Sequence, residues 1–437
     1  SARGPGGDDR VMRIRVFRVP SAEAGRHLDR LAARSRVLLD GEAAAVAGRA
    51  LAEIRRGGDR ALSRWRWKHD GVRGKLRGSA GRPRVSTDFR QAFELALSRL
   101  TAFHSLQKND GARLRIAGSL IEERVIPLDS VGVYVPGGEA PYVSTALMTI
   151  LPARIAGVPR IVAATPPSAW DGSAELRWAV DRLGVSEVYR MGGAHAIAAL
   201  AVGTKSVARV AKIVGPGNRF VTAAKRLVSG IVGIDGLAGP TEVAILADDS
   251  ADADRVAADL LAQAEHDVSA AAMLVTTSAR LADRVREALS RRLASLPTRA
   301  RAGKSLERYG AIAVAGTLAA AVAYLEEFAP EHLGIQTRRS LEHAGRFRRA
   351  GAVFAGEAST EVFGDYVAGT NHVLPTNATG RFASALSVRD FVRRMPVVSL
   401  SRRDAESLSG PAQVWARIEG LPAHGEAARL RGAGEAR

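Results

Sequence analysis

The sequence predicts an α/β protein with two similar domains built on parallel sheets, after a helical N-terminal region and before a C-terminal tail. Three observations predict it. From Val131 onward, short apolar runs alternate with helical stretches, as β-α-β units require. The alternation restarts at Thr241, giving two successive series of similar size, as a duplication would. Outside these series, residues 1–110 show mainly helical spacing and the last residues are polar and charged. The expected boundaries are 1–110, 111–239, 240–380 and 381–437.

The N-terminal region carries helical patterns at Ala22–Arg36, Ala43–Arg56 and Asp88–Leu106, with Gly57-Gly58-Asp59 ending one helix and starting another. Trp65 and Trp67 read as packing residues, and His27, His69 and His104 as structural or surface residues. Arg113–Ile116 and Ile121–Ile126 can pair as a hairpin.

In the first series the strands are Val131–Val135, Ile161–Thr165, Val188–Met191 and Lys212–Gly215. The helices are Ser144–Ile155, Ser173–Leu183, Ala194–Ala201 and Asn218–Val228. In the second, strands fall at Val243–Ala247, Ala272–Thr276, Ala311–Ala315, His332–Gln336 and Ala352–Ala355. Ser250 is placed to cap the helix after Ala247, with Asp252 and Asp254 in its first turn. After Asp365 the chain turns irregular. Ala412–Arg437 begins as a helix, cannot form its own core, and is expected to dock on another domain or subunit.

The chain has 437 residues, of which 46% are hydrophobic, enough for several globular cores. No apolar run is long enough to span a membrane. Arg13, Arg15 and Arg18 interrupt the first residues, which do not read as a signal peptide, so a cytoplasmic enzyme is the expectation. The net charge of +18 comes mostly from scattered arginines, without an aromatic-interleaved basic module, so no nucleic-acid partner is expected. There is no cysteine. Disulfides, thiolate metal ligation and thiohemiacetal chemistry are therefore excluded.

Several constellations can carry chemistry. Gln263 and His266 sit three residues apart at a helix end, where an amide oxygen and an imidazole can form half of a metal site or simply face solvent. Gly137-Gly138, Gly192-Gly193 and Gly215-Pro216-Gly217 end three strands of one sheet. That edge can hold a nucleotide phosphate near Asn218, or the glycines can serve tight turns alone. No G-x-G-x-x-G fingerprint occurs. Glu331-His332 precedes a strand and can supply a carboxylate and a proton acceptor, or form a polar strand start. Asp365, His372 and His424 are further metal-ligand candidates.

The sequence resembles the histidinol dehydrogenase family from about residue 30 to about 432. The resemblance rests on Val131–Gly138, Thr145–Val158, Gly192–Leu200, Lys212–Asn218, Ala238–Val243, Asp259–Asp267, Ala329–Leu333, Gly364–Thr376 and Glu419–His424. It implies a zinc-containing, NAD-linked homodimer with incomplete Rossmann-like domains. Such an enzyme oxidises L-histidinol through L-histidinaldehyde to L-histidine and reduces two NAD. The family's zinc ligands fall on Gln263, His266, Asp365 and His424. Its acid–base histidine falls on His332 and its water-activating carboxylate on Glu331. NAD contacts fall on Tyr134, His195 and Asn218 in the 111–239 domain. Substrate contacts fall on Thr241 and Glu419 besides the zinc ligands and His332. The family's tail reaches the partner's active site. There are three departures: His195 replaces a usual glutamine, Thr241 replaces a frequent serine but keeps the hydroxyl, and Thr376-Asn377-Ala378-Thr379-Gly380-Arg381 changes the order of a small-residue loop near Asp365. Related enzymes oxidise other small alcohols such as sulfopropanediol, but Glu419 suits an ammonium group and would repel a sulfonate.

Overall fold

The computed structural model describes residues 13–34, 40–79, 81, 83–137 and 142–432. Gly138, and the ends of the Ala22–Arg36 helix and of the C-terminal tail, lie outside the described residues.

The strands in chain order are β1 (Arg15–Val19), β2 (Arg77–Gly78), β3 (Ala112–Ile116), β4 (Ser119–Pro127) and β5 (Ser130–Tyr134). Then come β6 (Arg160–Thr165), β7 (Glu187–Arg190), β8 (Lys212–Val214), β9 (Gly233–Ile234) and β10 (Glu242–Ala247). The last are β11 (Ala271–Thr276), β12 (Ala311–Ala315), β13 (His332–Gln336), β14 (Ala352–Ala355) and β15 (Val392–Ser399). They form two six-stranded sheets, ordered β2-β7-β6-β5-β8-β9 and β1-β12-β11-β10-β13-β14, and a three-stranded sheet β15-β4-β3. The second sheet is parallel throughout, and the first is parallel except at its β2 edge. Two α/β layers with parallel sheets are therefore present, as the alternation predicts.

Why these runs are strands follows from their burial. Every residue of β10 and β11 is buried. Near-continuous apolar runs are what a parallel sheet covered on both faces requires. In the first sheet one face packs on the helices Gly41–Asp70 and Gly193–Val202, the other on Thr87–Ser105 and Val143–Ala156. In the second, one face packs on Ala253–Ala264 and Ala279–Ser295, the other on Ala22–Ala33 and Leu318–Phe328.

Several details differ from the sequence expectations. β1 lies within the region expected to be helical and pairs with β12 of the second sheet. The expected hairpin forms as β3 and β4, and β15 adds a third strand from the expected tail. The glycine break is as expected: within Gly41–Asp70 two helices meet across a kink at Gly58, whose φ of 51° and ψ of −135° are not helical and are adopted easily by glycine alone. The helix after β10 starts at Ala253 and is capped by Asp252, which accepts from the amides of Asp254 and Arg255, so Ser250 is not the cap. That helix ends at Ala264, which leaves His266 in the following turn. The tail helix begins at Arg402, earlier than expected, and a second helix, Pro422–Gly432, packs on it.

Candidate active site

Two sheet edges meet the candidate residues. Tyr134 ends β5, and the turns at Gly192 and Gly215 follow β7 and β8, all at the carboxyl edge of the first sheet. Glu242 and His332 open β10 and β13, at the amino edge of the second sheet. The short segment Asp235–Thr241 leads from β9 to β10 and joins the two edges. The Asn377 side chain packs directly over Gly239 of this segment, where a Cβ would lie 1.6 Å from Asn377 Nδ2 and would push that side chain aside.

At the amino edge, Thr241 stands between two candidates. Gln263 Nε2 donates to Thr241 Oγ1 at 2.6 Å, and Thr241 Oγ1 donates to Glu331 Oε2 at 2.5 Å. The Glu242 amide donates to the same carboxylate oxygen at 3.0 Å. His332 Nδ1 lies 3.0 Å from the Glu242 carbonyl. A carbonyl only accepts, so Nδ1 carries the hydrogen and Nε2 is the atom that can take a proton. His332 Nε2 is buried without a hydrogen-bond partner, 3.6 Å from Asp365 Oδ1. Asp365 sits on the short helix Glu361–Tyr366.

The electrostatics follow from this crowding. Burial pushes the Glu331 carboxyl up, against the pull of His332 and Thr241. Burial alone would lower His332, but Glu331, Asp365 and Glu361 outweigh it and raise its pKa, which makes the ring a stronger proton acceptor. Burial would raise Asp365, yet His332, with His372 and His266 beyond it, holds it below its usual range. Glu361 is a buried carboxyl beside His332 that the sequence did not single out; burial raises its pKa well above the ordinary value.

At the carboxyl edge, Tyr134 is buried, and its hydroxyl accepts from the Gly193 amide at 3.0 Å. His195 is buried on the helix Gly193–Val202, with Nε2 bonded to Asp70 Oδ2 at 2.8 Å. Asp70 ends the long helix Gly41–Asp70, and the same carboxylate oxygen accepts from the Gly192 amide at 3.3 Å. Trp65 stacks on His69, and both rings lie about 6 Å from His195. Trp65 is buried and Trp67 half exposed. Asn218 caps the helix Arg219–Val228, its Oδ1 accepting from the amides of Phe220 and Val221. Gly215, at φ 112°, would press a Cβ to 2.2 Å from the Tyr134 carbonyl oxygen. At that position the glycine is needed by the turn itself.

The chain therefore gathers Thr241, Gln263, Glu331, His332 and Asp365, with His266 close enough to act on Asp365. It does not bring Glu419 or His424 to them. Both lie exposed on the helical tail, Glu419 at the end of the helix Arg402–Ile418 and His424 on Pro422–Gly432. Among the described residues no three His, Cys, Asp or Glu side chains are close enough to hold a metal ion. The four candidate zinc ligands are thus not assembled within one copy of the chain.

A buried carboxylate and imidazole held side by side at a parallel sheet edge, in a chain without cysteine, make this the site of a general acid–base enzyme. The histidinol dehydrogenase family pattern matches residues 35–432. The chain is 44% identical over 390 residues to a histidinol dehydrogenase of Geobacillus kaustophilus, covering 87% of this chain and 92% of that one. It is 41% identical to one of Gloeobacter violaceus, covering 94% of each. The fold superposes on the crystal structure of histidinol dehydrogenase from Elizabethkingia anophelis with a TM-score of 0.87 and 29% identity, over 96% of this chain and 98% of that one. The chain belongs to the histidinol dehydrogenase family and is a dehydrogenase. None of these findings favours a paralogous alcohol. No helix among the described residues is long and apolar enough to cross a membrane.

Proposed function

We propose that the protein oxidises L-histidinol to L-histidinaldehyde and then to L-histidine, reducing one NAD at each step, in a homodimer whose sites hold zinc. The observation that carries the reading is the shared clamp at the amino edge of the second sheet. Thr241 and the Glu242 amide hold Glu331, and the Glu242 carbonyl holds His332 with Nε2 free.

In the first step His332 Nε2 takes the hydroxyl proton as the carbinol hydride leaves for the nicotinamide. In the second, water adds to the aldehyde: Glu331 takes a proton from that water while His332 returns its proton to the carbonyl oxygen, which gives the hydrate and leaves His332 free to accept again. The hydrate then gives up a second hydride, its hydroxyl proton passing to His332, and the acid is released. Without cysteine, the carbonyl carbon has no thiol to attack it, so water is the required oxygen source. General acid–base groups of this kind contribute about a hundred- to ten-thousand-fold.

The donor set fits zinc. With its Nε2 bonded to Thr241, Gln263 keeps its amide oxygen, the metal-binding end, for a cation. Gln263, His266 and Asp365 from one copy and His424 from a second would hold the ion, all hard or borderline donors. Bound there, zinc supplies a Lewis-acid contact that orients the substrate's imidazole and amine. Tyr134, His195 and Asn218 would face the dinucleotide, and Glu419 the substrate ammonium.

The test is NADH formation by purified protein offered L-histidinol, L-histidinaldehyde and a panel of other small alcohols. Two NADH per histidinol are expected, with histidine as product. One NADH per histidinol, or a preference for another alcohol, would overturn the reading.

A further inference from the structure

We propose that Arg34 and Glu242 are positioning residues for the Glu331–His332 pair. In this arrangement the buried guanidinium fixes the Glu242 carboxylate, and Glu242 fixes the reacting groups of both neighbours. The inference rests on the reading of Glu331 and His332 as the acid–base pair.

Arg34 follows the helix Ala22–Ala33 and reaches the amino edge of the second sheet. Its Nη2 donates to the Pro240 carbonyl at 2.7 Å and the Thr241 carbonyl at 3.3 Å, and lies 3.3 Å from Glu242 Oε1. One nitrogen thus gathers the two residues before β10 and the first residue of β10. Both charged side chains are 1% exposed, so neither acts on solvent.

Glu242 then uses each of its polar groups on the catalytic candidates or on Arg34. Its amide donates to Glu331 Oε2 at 3.0 Å, and its carbonyl accepts from His332 Nδ1 at 3.0 Å. Its Oε2 accepts from the Glu331 amide at 3.3 Å, while Oε1 faces Arg34. The Asn377 amide adds a further bond to this carboxylate from a residue in the left-handed region, at φ 53°. A shift of Glu242 therefore moves the Glu331 carboxylate and the His332 ring together. Thr241, held by the same Arg34 nitrogen through its carbonyl, carries the hydroxyl that bridges Gln263 and Glu331.

Stability alone is a poor reason for this pair. Two ions taken out of water lose hydration that offsets most of their attraction, and apolar residues of similar volume often serve a core better. Arg34 even leaves Nε and Nη1 buried without hydrogen-bond partners, so its donors are spent unevenly on the placement of Nη2. Burial pushes the Glu242 carboxyl up to about 7, and Arg34 is the cation that opposes this. The family match starts one residue past Arg34, and by sequence Arg34 is one more basic residue on a helix.

The experiment uses the full-length protein with Arg34→Met, Arg34→Lys, Glu242→Gln and the Arg34→Met/Glu242→Gln double variant, beside Glu331→Gln and His332→Asn. Melting temperature, kcat, and KM for histidinol and NAD are read for each. A misplacement of reacting groups by a fraction of an ångström predicts a kcat loss of roughly tenfold or more for Arg34→Met and Glu242→Gln. KM should stay within about threefold, since neither residue touches a ligand, and Arg34→Lys should lie between Arg34→Met and the unaltered protein. The double variant should be no worse than the worse single, because both act through one chain of contacts. A purely structural pair would lower the melting temperature and leave kcat unchanged below it. Arg34→Lys, which keeps the buried charge, supplies the comparison even if Arg34→Met does not fold. A kcat within twofold of the unaltered protein in Arg34→Lys and Glu242→Gln, or losses that multiply in the double variant, would overturn the proposal. Full turnover by Glu331→Gln and His332→Asn would instead sink the acid–base reading on which it stands.

Discussion

Glu242 and Glu331 hold each other reciprocally: the amide of Glu242 donates to the carboxylate of Glu331 at 3.0 Å, and the amide of Glu331 to the carboxylate of Glu242 at 3.3 Å. Two buried acids at the starts of neighbouring parallel strands, Glu242 opening β10 and Glu331 just before β13, are thus fixed by each other's backbone. The consequence is a division of labour. Glu242 is turned toward Arg34, whereas Glu331 is turned toward Thr241.

Glu331→Gln tests that division. An amide cannot take a proton from water, so the aldehyde step should fall roughly a hundredfold or more, and the alcohol step much less. His332→Asn should slow both steps by roughly a hundred- to ten-thousand-fold. Offering histidinol and histidinaldehyde separately checks this. Equal losses in Glu331→Gln on both substrates would remove the reason for giving Glu331 the water.

The strands were legible where both faces are buried. Glu242–Ala247 and Ala271–Thr276 are near-continuous apolar runs, and periodicity finds such runs. Arg15–Val19 was not legible, because its arginines break the run and its partner is β12, far along the chain. Val392–Ser399 was hidden in the same way, by Arg393, Arg394 and Pro396 at a sheet edge. In the site, local sequence marked Gln263, His266, Glu331 and His332, residue type alone suggested Asp365 and His424, and only the resemblance marked Thr241 and Glu419. Arg34, Asp70, Glu242 and Glu361 carried no such signal. Arg34, Asp70 and Glu242 act through a residue distant in sequence, and Glu361 is drawn in only by burial beside His332.

Asp70 bears on the departure at position 195. Its carboxylate only accepts, so it fixes His195 with hydrogen on Nε2. Asp70→Asn should raise KM for NAD, roughly threefold to a hundredfold for a coupled buried pair, with kcat little changed. In a His195→Gln background the Asp70 change should lose most of its effect. Equal effects of Asp70→Asn in both backgrounds would separate Asp70 from the cofactor.

Metal removal is the next check. Elemental analysis of protein purified without chelator should find one zinc per chain, and His266→Ala should lose it. Chelation should abolish turnover, and added zinc should restore it. Unchanged turnover in chelator would reject the ligand set.

Stability should depend on pH through His27, which is buried between the Tyr324 hydroxyl at 3.0 Å and the Tyr309 carbonyl at 3.3 Å. Burial lowers its pKa to about 4, with Arg15, Arg30 and Arg34 pushing the same way against the Tyr309 carbonyl. The unfolded chain takes this proton as pH falls through about 6.5, while the folded chain does so only near 4. Between those values the unfolded state binds more protons, so stability falls as pH falls, by about 3 kcal/mol in all. His27→Gln should flatten that share of the slope in denaturant titrations at pH 7 and pH 4.5. An identical slope in the variant would show that the ring does not hold off the proton.

The tail sets the last prediction. The helices Arg402–Ile418 and Pro422–Gly432 pack mainly on each other, and the Ser119 hydroxyl ties Asp404 to β4. Trp415 is 65% and Ile418 71% exposed, more apolar surface than a paired helix leaves in water. If that surface docks on a second copy and delivers Glu419 and His424 to its site, two inactive variants should rescue each other. His332→Asn leaves an intact tail on an inactive body. His424→Ala leaves an intact body with an inactive tail. In a mixed dimer one site receives both defects and the other receives neither. Co-expressed, tag-purified heterodimers should then regain activity, up to about half of the unaltered dimer in this counting. If each tail serves its own body, every site in the mixture carries one defect. Heterodimers no more active than either parent would rule out the shared site while leaving the Glu331–His332 assignment standing.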